Sequence, residues 1–484
     1  MEQRHKLWLS GRWQEAKTAV HLRSPFSNLP IAQIDQASPE QWEQALASSK
    51  EAFALFRKTS RYLRSALLRE MARLVSERRA DFVEVIARES GKPVQLAEIE
   101  VTRAIATLTI ASEETKSFGG EVIPLDTNAT DRAFGPAISY WVPRGPVLGI
   151  TPFNFPLNLV AHKVAPALAA GASIIIKPAP QAPGGAVLLA EVFEKAAKTV
   201  SDNRETVPLA AFQVLSAANE VAAVAITDSR ITTVSFTGST KVGWMIQKMA
   251  VGKRVLLELG GNAAVIVHKD ADLVRAATRC AAGGFGYAGQ SCISVQRIFV
   301  HQDVRSRFEE LLVAETAKVI SGDPTKKDVL NGPMIDDAAT TRVMKWLDEA
   351  KQDGAQQLAG GTREGNVLAP TVLTGVKPTH KVASEEVFAP IVVVSGYDKF
   401  SDAIDAVNHS KYGLQAGVFT DSAKLIQQAI EDLEVGGVII NEIPTYRADQ
   451  MPYGGVKESG LGREGLRYAM EEYSERRTVV QWTG

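Results

Sequence analysis

Between about Gly145 and Leu259, runs of four or five apolar residues alternate with stretches of helical spacing, and few folds accept such a pattern. The runs are Val147-Leu148-Gly149-Ile150-Thr151, Ser173-Ile174-Ile175-Ile176-Lys177, Phe212-Gln213-Val214-Leu215 and Thr232-Thr233-Val234-Ser235-Phe236. Helical stretches separate them, at Leu159 to Ala170, Ala186 to Lys198 and Glu220 to Ile226. Strands that are apolar throughout, rather than at every second residue, must be covered on both faces. With helices between them they predict βαβ units and a parallel sheet. A second alternation runs from about Ala263 to Asn441. Its strands fall at Ala264 to Val267, Ile298 to Val300, Ile391 to Val394 and Val438 to Ile440, and its helices at Asp272 to Ala282, Val304 to Val319 and Leu425 to Leu433. Two open α/β lobes follow. Ahead of them, Leu7 to Ile34 reads as short strands and turns. Pro39 to Phe118 reads as helices, the first opened by Ser38 with Pro39 in its first turn.

A length of 484 residues suits about three compact units, and a chain of that size needs no disulfide or metal staples. Lys and Arg number 54 against 55 Asp and Glu, a net charge of −1. That balance argues against a nucleic-acid or anionic-membrane binder. The two cysteines, Cys280 and Cys292, and seven histidines form no ligand set for a structural zinc, so no metal is expected. Sparse cysteine, no signal-peptide core after the N-terminal Met-Glu-Gln-Arg-His-Lys and no apolar run long enough to span a bilayer point to a cytoplasmic protein.

Chemistry is harder to read residue by residue. Two G-x-G-x-x-G matches, Gly284/Gly286/Gly289 and Gly460/Gly462/Gly465, lack the preceding strand and following helix that would make them phosphate loops. They read instead as turns or close packing. A better phosphate candidate is Phe236-Thr237-Gly238-Ser239-Thr240, which follows a strand and opens a helix from Lys241 to Ala250 that Ser239 or Thr240 can cap. Cys292, in Gly289-Gln290-Ser291-Cys292-Ile293-Ser294, is a candidate nucleophile, although a lone cysteine is more often a small buried hydrophobe. Cys280 fits that second description. Glu258, in an apolar run ending in Gly260-Gly261, is a candidate general base if buried, or an edge-strand residue facing water. Asn154, set between Phe153 and Phe155 and flanked by Pro152 and Pro156, is either a rigid oxyanion donor or a turn asparagine.

Seven blocks, in order, resemble the aldehyde dehydrogenase superfamily: Thr151-Pro152-Phe153-Asn154-Phe155-Pro156, Lys177-Pro178-Ala179, Phe236-Thr237-Gly238-Ser239, Glu258-Leu259-Gly260-Gly261, Gly289-Gln290-Ser291-Cys292, Glu385-Glu386-Val387-Phe388 and Pro452-Tyr453-Gly454-Gly455. The resemblance implies that Cys292 attacks an aldehyde carbonyl to give a thiohemiacetal. Asn154 and the Cys292 N–H would hold its oxyanion, hydride would pass to a nicotinamide, and Glu258 would activate the water that hydrolyses the thioester to a carboxylic acid. It also implies an NAD or NADP site. There Lys177 meets the adenosine ribose, Ser239 beside Gly238 the pyrophosphate and Glu386 the nicotinamide ribose, with Phe388 near the ring and Ile150, Thr151 and Pro152 along the cleft.

This sequence departs from the family pattern in three places. Pro180 stands where many NAD-preferring members carry a glutamate that grips the ribose hydroxyls, so NADP is expected to be tolerated or preferred. Asn262 replaces a common lysine and Ala389 a common glycine. The closest-looking branch is that of non-phosphorylating glyceraldehyde-3-phosphate, phosphonoacetaldehyde and lactaldehyde dehydrogenases. Its substrate tunnel would be lined here by Arg103, His162, Ser291, Ile293 and Arg447, and the expected substrate is a short aldehyde with an anionic group. If the arginines only form surface ion pairs, a neutral or hydroxy-aldehyde would serve instead. Transfer of the acyl group to coenzyme A is an alternative that Glu258 speaks against. A catalytically silent scaffold would lack the nucleophile or oxyanion donor, and both are present. The implied domains are 1–124 with 145–257 for the dinucleotide, 258–448 for catalysis, and oligomerisation strands at 125–144 and 471–484, giving a homodimer or homotetramer.

Overall fold

The computed structural model describes residues 3–131 and 133–482. Both expected α/β lobes are present, each built on a largely parallel sheet. The first sheet carries β1 (Val147–Ile150), β2 (Ile174–Lys177), β3 (Phe212–Val214), β4 (Thr233–Thr237) and β5 (Arg254–Glu258). Their spatial order is β5-β4-β1-β2-β3, all parallel. The hairpin Leu7–Leu9/Arg12–Gln14 extends the β3 side, and Gly460–Leu461 pairs antiparallel with β5. Successive residues point to opposite faces. Val147, Ile174, Ile176 and Phe212 enter one core, while Leu148, Ile175, Val234 and Leu257 enter another. This double coverage is why the strands read as unbroken apolar runs.

The chain winds from β1 through β2 to β3 on one side, then crosses to β4 and β5 on the other. The strand order therefore reverses between β1 and β4. In open α/β sheets a ligand crevice forms at such a switch point, outside the carboxyl ends of the strands. Residues Ile150 to Pro152 leave β1 there, and Gly238 and Ser239 leave β4.

The second sheet comprises β6 (Ala264–Val267), β7 (Arg297–His301), β8 (Thr371–Thr374), β9 (Ile391–Tyr397), β10 (Gln415–Phe419) and β11 (Gly437–Ile440), in the order β8-β9-β7-β6-β10-β11, with Gln356–Ala359 antiparallel on the outer side of β8. A short link through Gly260-Gly261 carries β5 into β6, so the carboxyl end of one sheet leads into the amino end of the other. A third, antiparallel sheet joins Glu121–Ile123, Ala137–Pro143 and Ser474–Val479.

Several elements differ from expectation at their ends. Ser38 does open the helix Pro39–Phe56, through a reciprocal cap with Gln41. Asp272 caps the helix Leu273–Phe285 from outside, accepting from the Arg275 N–H, and that helix continues three residues beyond Ala282. The stretch from Glu220 to Ile226 breaks into two single turns, Asn219–Ala222 and Val224–Thr227. Within the expected C-terminal segment 471–484 the strand is Ser474–Val479, paired antiparallel with Ala137–Pro143. No helix among the described residues is long and apolar enough to cross a membrane.

Candidate active site

Cys292 lies in the loop between Leu273–Phe285 and β7. Tyr287, Ala288 and Gly289 all take left-handed backbone conformations, with φ of 54°, 53° and 64°. For the two non-glycine residues this stores about 1–3 kcal/mol each. A side chain at Gly289 would collide with the Ala389 carbonyl, so packing as well as φ demands glycine. Gln290 pins the loop. Its amide donates to the carbonyls of Tyr287 and Pro333 and accepts from the Ile335 N–H, and its own carbonyl accepts from Asn154 Nδ2 at 3.0 Å. That bond brings Asn154, 136 residues earlier in the chain, beside the Cys292 loop. Asn154 is thus a buried scaffold contact rather than a solvated turn residue. Cys292 Sγ sits 3.1 Å from the Tyr453 hydroxyl. Burial pushes its thiol up to about 12, partly opposed by the Tyr453 hydrogen bond and the Arg447 charge. Cys280 is fully buried, as expected for a structural cysteine.

Glu258 ends β5, flanked by β4 on one side and Gly460–Leu461 on the other. The edge-strand alternative is therefore overturned; its side chain is buried. Burial first, and the nearby Glu464 charge second, push its carboxyl well above the usual range. Glu386 accepts the Gly261 N–H at 3.0 Å, and burial lifts it to about 7. The opposite face of Gly261 is just as tight, since a Cβ there would lie 2.8 Å from the Cys292 carbonyl.

Behind Glu258 lies a buried charge network. Lys163, on the helix Asn158–Ala170, donates to Ser235 Oγ, Thr237 Oγ1 and Glu464 Oε1 at 2.9, 2.7 and 3.0 Å. Burial alone would raise Glu464, but Lys163 and Arg447 outweigh it and hold the carboxyl at about 2. Two carboxylates thus sit in one field with opposite shifts, the arrangement that separates a resting base from a fixed charge.

The tunnel candidates are not surface ion pairs of the ordinary kind. Arg447 is only 7 % exposed, lies 3.7 Å from the Tyr453 ring centre, meets Glu464 Oε2 at 3.3 Å and leaves a buried Nε unpartnered. Arg103 is held in a two-pronged contact with Asp449, at 2.7 and 3.3 Å, and His162 Nε2 meets the same carboxylate at 2.8 Å. Ile293 packs with Leu414 and Tyr453, and Ser291 is half-buried beside Cys292.

At the switch point, Lys177 ends β2, with Nζ 3.0 Å from Asn219 Oδ1, and the Thr151 N–H donates to the Lys177 carbonyl. Pro180 is exposed just beyond. Ser239 is the N-cap of the helix Thr240–Met249 but makes no side-chain cap bond, and Thr240 lies inside the helix. Ser239 thus takes the expected cap position, but neither it nor Thr240 makes a side-chain cap bond, so the leading N–H groups remain available to an anion. Gly238 donates its N–H to the Glu258 carbonyl. Phe388, with φ of 53°, meets Phe153 edge-on at 6.0 Å. The buried atoms Thr151 Oγ1, Thr240 Oγ1, Asn154 Oδ1 and Glu258 Oε2 lack protein partners. Such unsatisfied polar groups, on segments at the carboxyl ends of β1, β4 and β5, are what a dinucleotide and a polar substrate would satisfy. No group of metal-binding side chains occurs among the described residues.

Tyr453, Gln290, Lys163, Glu464 and Asp449 do not stand out as site residues in the sequence. Lys163 gives a signal, as a lysine in a helix whose only other polar residues are Asn158 and His162. Tyr453 lies inside one of the seven family-like blocks, where nothing local assigns it a role.

The sequence model described as the aldehyde dehydrogenase family matches residues 13–479. A 3-sulfolactaldehyde dehydrogenase of Priestia aryabhattai is 40% identical over 475 residues, 98% of this chain and 97% of that protein. Aldehyde dehydrogenase 21 of Physcomitrella patens, solved with its reaction product succinate, superposes with a TM-score of 0.96 at 36% identity, covering 100% of this chain and 99% of that one. The glyceraldehyde-3-phosphate dehydrogenase GapN of Methanocaldococcus jannaschii, complexed with NADP, gives 0.92 at 35% identity over 96% and 100%.

Proposed function

Because this chain belongs to the aldehyde dehydrogenase family, we propose that its cleft oxidises a short aldehyde bearing an anionic group to the carboxylic acid, with Cys292 as nucleophile. The observation that carries this reading is the meeting of Cys292, Asn154, Glu258 and Arg447, drawn from four distant segments, around unsatisfied buried polar atoms. Cys292 Sγ attacks the carbonyl carbon. The Asn154 amide, steadied by Gln290, and the Cys292 N–H stabilise the oxyanion. NAD or NADP supplies the hydride acceptor, held by Lys177, Ser239 and the free N–H groups of its helix, and Glu386, with Ile150, Thr151, Pro152, Gly238 and Phe388 along the cleft. Glu258 then takes a proton from the water that opens the Cys292 thioester. A water-activating base in this position disfavours the coenzyme A alternative.

Arg447 is the better anchor for the anion. The Arg103 charge is already balanced by Asp449, whereas Arg447 shares one carboxylate and keeps a buried Nε free. The sulfonate in the Priestia relative's name and the succinate bound to the moss enzyme support an acidic tail. Pro180, exposed where a ribose-gripping glutamate is absent, supports use of NADP. An aldehyde panel run with both cofactors tests this reading. Acidic short aldehydes are expected to give the highest kcat/KM, with NADP at least as good as NAD, and Arg447→Ala to raise KM for acidic substrates selectively. Neutral aldehydes winning with Arg447→Ala harmless, or a hundredfold preference for NAD (about 2.7 kcal/mol), would overturn it.

In the domain division that goes with this reading, 1–124 and 145–257 bind the cofactor, 258–448 carries the catalytic cysteine, and 125–144 with 471–484 mediate assembly; residues 1, 2, 132, 483 and 484 lie outside the described ones. The third sheet bares Val122, Ile138 and Val479, with Trp482 just beyond it, each 46–68 % exposed, and a second copy of this chain is the proposed cover. Light scattering is expected to report a homodimer or homotetramer, and a stable monomer at micromolar concentration would contradict it. Two unpaired cysteines suit a reducing compartment, and the cytoplasm is the proposed location.

A further inference from the structure

A thiol in apolar surroundings ionises poorly, and Cys292 is further opposed by two carboxylates that face it, Glu258 from β5 and Glu386 from the loop before β9. Two groups act the other way, and both come from the segment after β11. The Tyr453 hydroxyl lies 3.1 Å from Sγ, and the Arg447 guanidinium lies over the Tyr453 ring at 3.7 Å. Tyr453 has little freedom to move. Its ring packs with Ile293 and Leu414, and its backbone is clamped to Glu464 by reciprocal hydrogen bonds of 2.9 and 2.7 Å. A cation on the face of a phenol draws electron density from the ring and strengthens its O–H as a donor.

We propose that Tyr453 is the hydrogen-bond donor that makes Cys292 reactive, its O–H stabilising the thiolate once the thiol proton has left to water, with Arg447 on the ring face strengthening that donor. This rests on the reading of Cys292 as nucleophile and extends it to how the sulfur is activated. A hydrogen bond to thiolate has two opposed effects. Each tenfold gain in thiolate costs intrinsic nucleophilicity by roughly threefold, since rates follow basicity with an exponent of about 0.4–0.5. The balance leaves a rate gain of about threefold for every tenfold more thiolate. The donor therefore helps because the thiol is protonated at neutral pH, a state that burial deepens.

The test is the rate of Cys292 alkylation by iodoacetamide across pH, read by peptide mass with buried Cys280 as internal control, in the full chain. Tyr453→Phe is expected to alkylate about threefold or more slowly at every pH below the thiol midpoint. Incorporating 3-fluorotyrosine at 453, a more acidic phenol of similar shape, is expected to alkylate faster than wild type. A role in packing alone would not move the two variants in opposite directions. Equal or faster alkylation of Tyr453→Phe, or no acceleration by fluorotyrosine, overturns the proposal. If Tyr453→Phe loses its cooperative melt, the fluorotyrosine protein decides alone. Alkylation needs no turnover, so these outcomes stand apart from the nucleophile reading, which fails instead if Cys292→Ser still oxidises aldehyde.

Discussion

Replacing Cys292 with alanine is expected to lower aldehyde-dependent reduction of the cofactor by on the order of 10⁴-fold or more, as loss of a nucleophile does in other covalent enzymes. The Asn154 amide and the cofactor cleft stay in place, so substrate and cofactor still bind. What disappears is the sulfur that converts a carbonyl into a tetrahedral centre able to release hydride. Cys292→Ser keeps the shape and supplies oxygen, but a hydroxyl next to the buried Glu258 and Glu386 gives up its proton far less readily than a thiol. Stopped-flow mixing with aldehyde is therefore expected to show no rapid burst in either variant. Neither change should cost much stability. Cys292 is half-buried in a loop held by Gln290 and Asn154, and substitutions at such places usually fall within about 0.5 kcal/mol. A burst in Cys292→Ser equal to wild type would assign the chemistry to another group.

How far these features can be read from sequence depends on where each residue finds its partners. β1, β2 and β4 are legible because helices cover both faces and the strands are apolar from end to end. In the first glycine motif, Gly284, Gly286 and Gly289 follow or end a helix, and Gly289 is demanded by the Ala389 carbonyl, a contact that no phosphate-loop pattern encodes. The second glycine motif does lead into a helix, Leu466–Glu472, contrary to expectation, but it begins inside the two-residue strand Gly460–Leu461 rather than after a strand. Glu258 is ambiguous in sequence for a physical reason. Its outer neighbour in the sheet is Gly460–Leu461, some two hundred residues later, so no local window can tell a central strand from an edge. Asn154 is similar, since its scaffold partner Gln290 lies in another lobe. Only the order of several blocks along the chain, each weak alone, brings these positions under one reading. Tyr453 and Glu464 stay invisible because a tyrosine beside glycines and a glutamate in a polar tail have many uses. Their significance comes from contacts to Cys292 and Lys163 that only the folded chain supplies.

Glu258→Gln is expected to separate the two halves of the reaction. The amide is nearly isosteric and can keep hydrogen bonding, so the initial burst should stay within a few-fold of wild type. Steady-state turnover, limited by hydrolysis of the Cys292 thioester, should fall about 10²–10⁴-fold, the usual contribution of a positioned base. The pH profile gives an independent check. Burial and the Glu464 charge hold the Glu258 carboxyl protonated well above its ordinary range. Only the ionised form can take a proton from water, so hydrolysis-limited turnover in the wild type should rise with pH until Glu258 has ionised, and the glutamine variant should lose that limb. Glu464→Gln removes a neighbouring negative charge and leaves the charges of Lys163 and Arg447 uncompensated. Both changes favour ionised Glu258, so the rising limb should move to lower pH. If Glu258→Gln instead lowers burst and steady-state rates in equal proportion, Glu258 acts before the thioester forms, and the sulfur's proton, not the water's, is the one it accepts.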